Sequence, residues 1–197
     1  MTPNRLLSNC PGLAFHGPVK LSFAMPAQNP ATTELNALPQ DEFVRLVGPV
    51  FEHSSWISEE TWPRRPFANL TALHSALCGT VREAGEQKQL ALIRAHPDLV
   101  GRATLAGTLT PTSSCEQASA GLNQLNPDEI VAFLKFNRAY RDRFGFPFII
   151  CARLNKKETI LKAFPIRLQH SREQEIMTAL DEIYKIAYLR LKDIVAE

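Results

Sequence analysis

The chain has 197 residues, of which 45% are hydrophobic and 21% charged, enough for one domain with a substantial apolar core. Twenty-two Lys and Arg against 20 Asp and Glu leave a formal charge of +2, and the basic residues are scattered among acidic ones. This balance argues against a nucleic-acid or anionic-membrane partner, and no run approaches the roughly 18 consecutive apolar residues of a membrane span.

Residues 1 to 32 are rich in Pro, Asn, Ser and Thr and lack sustained periodicity, which predicts a poorly ordered extension. Pro11, Gly12, His16, Gly17 and Pro18 interrupt any signal-peptide core, and no continuous hydrophobic stretch precedes "LLSNC" to make it a lipoprotein box. The domain is expected over 33–197. Its first helix is read in "LPQDEFVRLVGPVFE", where Pro39 precedes the first-turn acids Asp41 and Glu42. "LTALHSALCGTVREA" and "EQKQLALIRA" continue the helical pattern, the second stopped at His96-Pro97 because proline disfavours a helical residue before it.

"NPDEIVAFLKFNRAYRDRFG" carries Asn126 as N-cap, Pro127 in the first turn and Gly145 as the stop, with Ile130, Phe133, Leu134, Tyr140 and Phe144 as a buried stripe. "FPFIICAR", Phe146 to Arg153, alone reads as extended, and one such segment makes no sheet. The last helix opens with Ser171 and Gln174 at capping-box spacing; Ile176, Leu180, Ile183, Ala187, Leu191 and Ile194 then recur every three or four residues. The expected fold is all-α, a single-domain helical bundle with a short extended segment near 146–152.

Four cysteines, at 10, 78, 115 and 151, include no C-x-x-C pair and are read as reduced thiols of a cytoplasmic chain. His53, His74 and His170 lack metal-ligand spacing, so no metal is expected.

Two features carry candidate chemistry. His96 gains from the dipole at a helix C-terminus, which is reason enough for its place, yet His-Pro also projects a group of pKa about 6.5 from a rigid corner, as proton transfer requires. In "TSSCEQASAGL", Ser113 and Glu116 have capping-box spacing. The same geometry would leave the N–H groups of residues 114 to 117 as an anion site, with Glu116 and Gln117 at its rim. Cys115 is a candidate thiolate partner for His96, and Arg153 either clamps an anion or forms an ordinary salt bridge.

Together, "LIRAHPDLVGR", then "SSCEQASAGL" with Glu116 20 positions after His96, then "LNPDEIVAFLKFNRAYRDRFGFPFIICAR" resemble the OHCU decarboxylases, the 2-oxo-4-hydroxy-4-carboxy-5-ureidoimidazoline decarboxylases of urate degradation. The resemblance runs over roughly 34–197. It implies an all-helical homodimer that needs no metal or organic cofactor and converts OHCU to (S)-allantoin. It also implies that His96 is the catalytic histidine, with Glu116 beside it, and that Pro97, Ser113, Ser114, Cys115 and Gln117 border the substrate. Phe148, Ile149, Ile150, Cys151 and Ala152 would edge the pocket with their backbone, and Arg153 continues that motif. A peroxisomal tripeptide, of the kind some eukaryotic relatives carry, is not expected in a chain ending "VAE". Two other readings stand beside this one: a Cys-His amidohydrolase acting on a related ureide ring, and a non-catalytic helical scaffold.

Overall fold

A computed structural model describes residues 29–101, 107 and 109–196. Most of the expected extension lies outside these residues. Its last few are tied to the C-terminus: Asn29 donates to the Asp193 carbonyl, the Pro30 carbonyl accepts from Ala196 N–H, and Ala31 forms a bridge with Ala196.

The described residues are helical, with no sheet. Helices α1 (Thr32–Ala37), α2 (Gln40–Val47) and α3 (Trp56–Thr61) lead to α4 (Leu70–Glu83) and α5 (Gly85–Ala95). Then come α6 (Pro111–Ser119), α7 (Pro127–Phe144), α8 (Lys157–Arg167) and α9 (Arg172–Ile194). Short 3-10 turns follow α2 at Gly48–Val50 and α3 at Trp62–Arg64, and precede α8 at Ala152–Leu154. No helix among these residues is long and apolar enough to cross a membrane.

Local chemistry sets many of the helix ends as the sequence predicts, although the first helix read, expected to run on to Glu52, stops at Val47 before the Gly48–Val50 turn. Pro39 is the N-cap of α2, and α5 stops at His96, whose φ of −77° and ψ of 141° are the extended values that Pro97 demands. Asn126 and Glu129 close a capping box at the start of α7, and Gly145 ends it at φ 77°, a left-handed conformation suited to glycine. Ser171 and Gln174 close the box of α9.

The packing centre is α9, which lies against α4, α5 and the Gly48–Val50 turn. Its stripe Ile176, Leu180, Ile183, Ala187 and Leu191 is buried as expected. The stripe of α7 needs one correction. Phe133, Tyr140 and Phe144 are buried, but Leu134 is 42% exposed and Asn137 takes the inward place. Positions 130, 133, 137, 140 and 144 follow the helical period, whereas Leu134 is rotated about 100° from Phe133.

Phe146 and Phe148 join Tyr140, Phe144 and Phe164 in an aromatic core, the Phe148 and Phe164 rings stacking at 3.9 Å. The segment up to Cys151 has no helical structure. Ala152 and Arg153, expected to continue it, instead curl into the 3-10 turn, closed by hydrogen bonds from Leu154 N–H to Cys151 and from Asn155 N–H to Ala152.

Candidate active site

The end of α5, the start of α6, the turn after Val50 and the last turns of α9 converge on one buried cluster of ionisable groups. His96 is 7% exposed, and its Nδ1 donates to the Leu92 carbonyl at 3.0 Å. That bond assigns the ring proton to Nδ1 and leaves Nε2 as a lone pair in the neutral form. Burial pushes the His96 pKa down to about 4; the Arg190 charge adds to this, while the Leu92 bond and Glu52 oppose it. His96 is therefore a neutral base at physiological pH.

Arg190 organises the cluster. Its Nε and Nη2 donate to the two Glu116 oxygens at 2.8 and 2.7 Å, and Nη1 donates to Glu52 Oε2 at 3.0 Å and to the Val50 carbonyl. Ser113 Oγ accepts from Arg190 Nη2 and donates to Glu52 Oε2, while Thr110 Oγ1 donates to Glu52 Oε1. Burial raises the Glu52 pKa, but the charge and hydrogen bond of Arg190, with His96 and Ser113, outweigh it and hold the carboxyl below its usual range. Burial lowers the Arg190 pKa and the two carboxylates more than offset it.

The loop after His96 is braced from two helices. Asn137 Nδ2 donates to the Leu99 carbonyl at 2.7 Å, Gln117 Oε1 accepts from Val100 N–H, and Asp98 pairs with Arg141. Gly101 permits the turn, since a Cβ there would lie 2.5 Å from Asp98 Cβ.

Several sequence expectations are corrected. The N-cap of α6 is Thr110, whose side chain accepts from Ser113 N–H, and Pro111 follows it. Ser113 and Glu116 thus lie inside the helix, where they face Glu52 and Arg190. The anion site expected from the N–H groups of 114 to 117 is absent for the same reason: Ser114 N–H already bonds the Thr110 carbonyl, three residues earlier than a cap at Ser113 would allow. Ser114 is exposed on another face of α6 and joins none of the cluster's contacts. Cys115, on the half-exposed side of α6, is disulfide-bonded and presents no thiolate to His96, whereas Cys78 and Cys151 are free and buried. Arg153 forms a two-pronged salt bridge with Asp193, the ordinary outcome for that residue.

Pro97 is half-buried beside His96, and Gln117 is buried. The buried segment Phe148, Ile149, Ile150, Cys151 and Ala152 leads into the 3-10 turn that packs against α6, which places its end near Glu116.

Sequence reasoning missed Glu52 and Arg190. Arg190 left a trace, a charge three residues after Ala187 on the apolar stripe of α9; Glu52, after Phe51 in a turn, left none. No cluster of three or more His, Cys, Asp or Glu suited to a metal occurs among the described residues. Two surface hollows, of about 270 and 490 Å³, are lined by His74, Tyr184 and Tyr188 and by Leu134 and Arg138, and neither is lined by His96, Glu52, Glu116 or Arg190.

A family model described as OHCU decarboxylase matches residues 36–192. The chain belongs to the OHCU decarboxylase family. A 2-oxo-4-hydroxy-4-carboxy-5-ureidoimidazoline decarboxylase of Halalkalicoccus jeotgali is 44% identical over 161 residues, covering 82% of this chain and 89% of that one. The mouse protein of the same name, from Mus musculus, is 38% identical over 161 residues, covering 82% of this chain and 90% of its own length. The crystal structure of an (S)-allantoin synthase superposes with a TM-score of 0.67 at 30% identity, covering 85% of this chain and 54% of that one. Family membership does not favour the amidohydrolase reading.

Proposed function

We propose that this OHCU decarboxylase family member releases carbon dioxide from OHCU and forms (S)-allantoin, the last step from urate, with His96 as its proton carrier. The observation that carries the reading is the buried neutral imidazole of His96, its Nδ1 fixed by Leu92, in the field of the Glu52–Arg190–Glu116 cluster. Family membership supplies the substrate.

The substrate carries its own electron sink. The carbon bearing its carboxylate and hydroxyl adjoins a C=N bond, so the electrons left by carbon dioxide pass into that bond and give an enol. One proton is then taken up from solution at nitrogen. The enol becomes allantoin when its hydroxyl loses a proton and the neighbouring ring carbon gains one. His96 Nε2, a free lone pair, accepts the first and returns a proton to one face of the carbon. Arg190 orients the carboxylate. Because two glutamates already hold its guanidinium, one must yield, and Glu116, on the less buried side, turns to accept from ureido N–H groups. Ser113 and Glu52 keep Arg190 in place, Pro97 and Gln117 shape the wall, and the Phe148–Ala152 backbone supplies its other edge.

The family resemblance supports a homodimer and the interrupted signal-peptide core a cytoplasmic location, whereas the bonded Cys115 departs from the reduced thiols expected of all four cysteines; sedimentation and cell fractionation test these. The activity itself is tested by adding the purified chain to freshly prepared OHCU and following carbon dioxide release. Release no faster than in buffer removes the reading.

A further inference from the structure

Away from the His96 cluster, the chain buries a second charged network that this chemistry does not use. Glu175, fully buried in the first turn of α9, accepts on Oε1 from Arg167 Nε at 2.7 Å, from Arg167 Nη2 and from the Tyr140 hydroxyl. Its Oε2 lies 2.7 Å from His170 Nδ1. Arg167, at the end of α8, is also buried. Its remaining edge leaves the pair altogether: Nη1 donates to the Ile149 carbonyl, and the guanidinium lies 4.3 Å over the Phe148 ring. One residue beyond, Cys151 N–H donates to Glu182 Oε2 at 2.7 Å and its carbonyl accepts from Asn155 Nδ2.

A fully buried ion pair is a costly way to fill a core, and apolar side chains of the same volume commonly serve as well or better. Here the charges do something apolar groups cannot. The Phe148–Cys151 segment has no sheet partner, so its peptide orientations must be set by side chains. In a trans peptide the C=O and N–H point in opposite directions, so the arginine that pins the Ile149 carbonyl also aims the Ile150 N–H the other way. That N–H has no acceptor among the described residues. A cation on the carbonyl polarises the peptide and makes its N–H a stronger donor.

We propose that Arg167, anchored by Glu175, is a positioning residue that fixes the Ile149–Ile150 peptide and presents the Ile150 N–H as a hydrogen-bond donor to the oxygen-rich substrate. The proposal rests on the decarboxylase reading. It makes the Arg167–Glu175 pair part of the enzyme's preorganisation rather than a requirement of the core, and it assigns catalytic consequence to a side chain that does not itself touch substrate.

The test uses the full chain as wild type, Arg167→Lys and Arg167→Met, each checked for folding by thermal melting and assayed well below its melting temperature. Lysine keeps one donor for the Ile149 carbonyl and methionine keeps none. The expected result is near wild-type KM in both variants, with kcat lowered only several-fold in Arg167→Lys but on the order of a hundredfold in Arg167→Met, the size of loss that misplacement of a reacting group produces. Independently, the Ile150 amide resonance of the wild type should shift on saturation with (S)-allantoin. A folded Arg167→Met with wild-type kcat overturns the proposal. So does an Ile150 amide that stays still while the His96 ring resonances move, and this decides the matter if Arg167→Met fails to fold. Wild-type inactivity on OHCU would remove the decarboxylase reading and this proposal with it, whereas an active wild type beside an indifferent Arg167→Met removes this proposal alone.

Discussion

Arg190 Nη1 lies 3.0 Å from Glu52 Oε2, and both side chains are almost wholly buried. Glu116 holds the other edge of the same guanidinium, so a single cation from α9 neutralises carboxylates from two separate elements. The pairing ties the end of the chain to the turn after Val50 and to α6.

Removing the cation should therefore cost more than removing either anion. Arg190→Met leaves Glu52 buried without its counter-charge, and the loss of stability should be about 3–5 kcal/mol, the range for breaking a buried pair. Adding Glu52→Gln to Arg190→Met should recover part of it. Urea unfolding of the single and double variants measures this. A double variant no more stable than Arg190→Met would show that the Glu52 charge is not what the arginine compensates.

Acid should destabilise the fold in a window set by His96. Unfolded, this histidine titrates near 6.5; folded, near 4. Between those values only the unfolded chain binds the proton, so stability falls as pH drops from 6.5 towards 4 and is unaffected by this group above 6.5. The full gap is worth up to about 3 kcal/mol. Glu52 acts in the same direction lower down: its depressed pKa contributes stability above about 4.5 that is lost as pH falls through the folded value. Melting curves between pH 7 and 4.5 should slope less in His96→Ala than in the wild type. Identical slopes would mean that His96 is not the group responsible.

The helix boundaries were legible because they rest on local chemistry. Asn126, Pro127 and Gly145, Ser171 and Gln174, and His96-Pro97 each act on their immediate neighbours, and neighbours are what a sequence displays. The start of α6 was misread because Thr110-Pro111 and Ser113-x-x-Glu116 offer two competing caps three residues apart, and Thr110 takes the role. Half of the charged cluster was legible for a related reason. His96 and Glu116 stand in short motifs, whereas Glu52 and Arg190 meet across 138 positions of sequence. Only the tertiary fold brings those two together.

Cys115 should be dispensable for the reaction. Its sulfur is bonded, and the decarboxylation needs no covalent intermediate, because the substrate ring takes the electrons itself. Cys115→Ser, and the wild type assayed with and without a thiol reductant, should all retain kcat within about twofold, far from the 10²-fold or greater loss expected when a catalytic group is removed. Inactivation by this substitution would revive a thiolate mechanism.

The central claim is that His96 delivers a proton to one face of a planar intermediate. Solvent can reach either face, so the uncatalysed decarboxylation gives optically inactive allantoin. The decisive measurement is the circular dichroism of allantoin formed from freshly prepared OHCU, recorded in real time for the wild type, His96→Ala and a protein-free control. The account predicts a growing (S)-allantoin signal with the wild type, and with a folded His96→Ala no signal and product at the control rate. An optically inactive product from the wild type, or full (S)-selectivity at wild-type rate from His96→Ala, would contradict it.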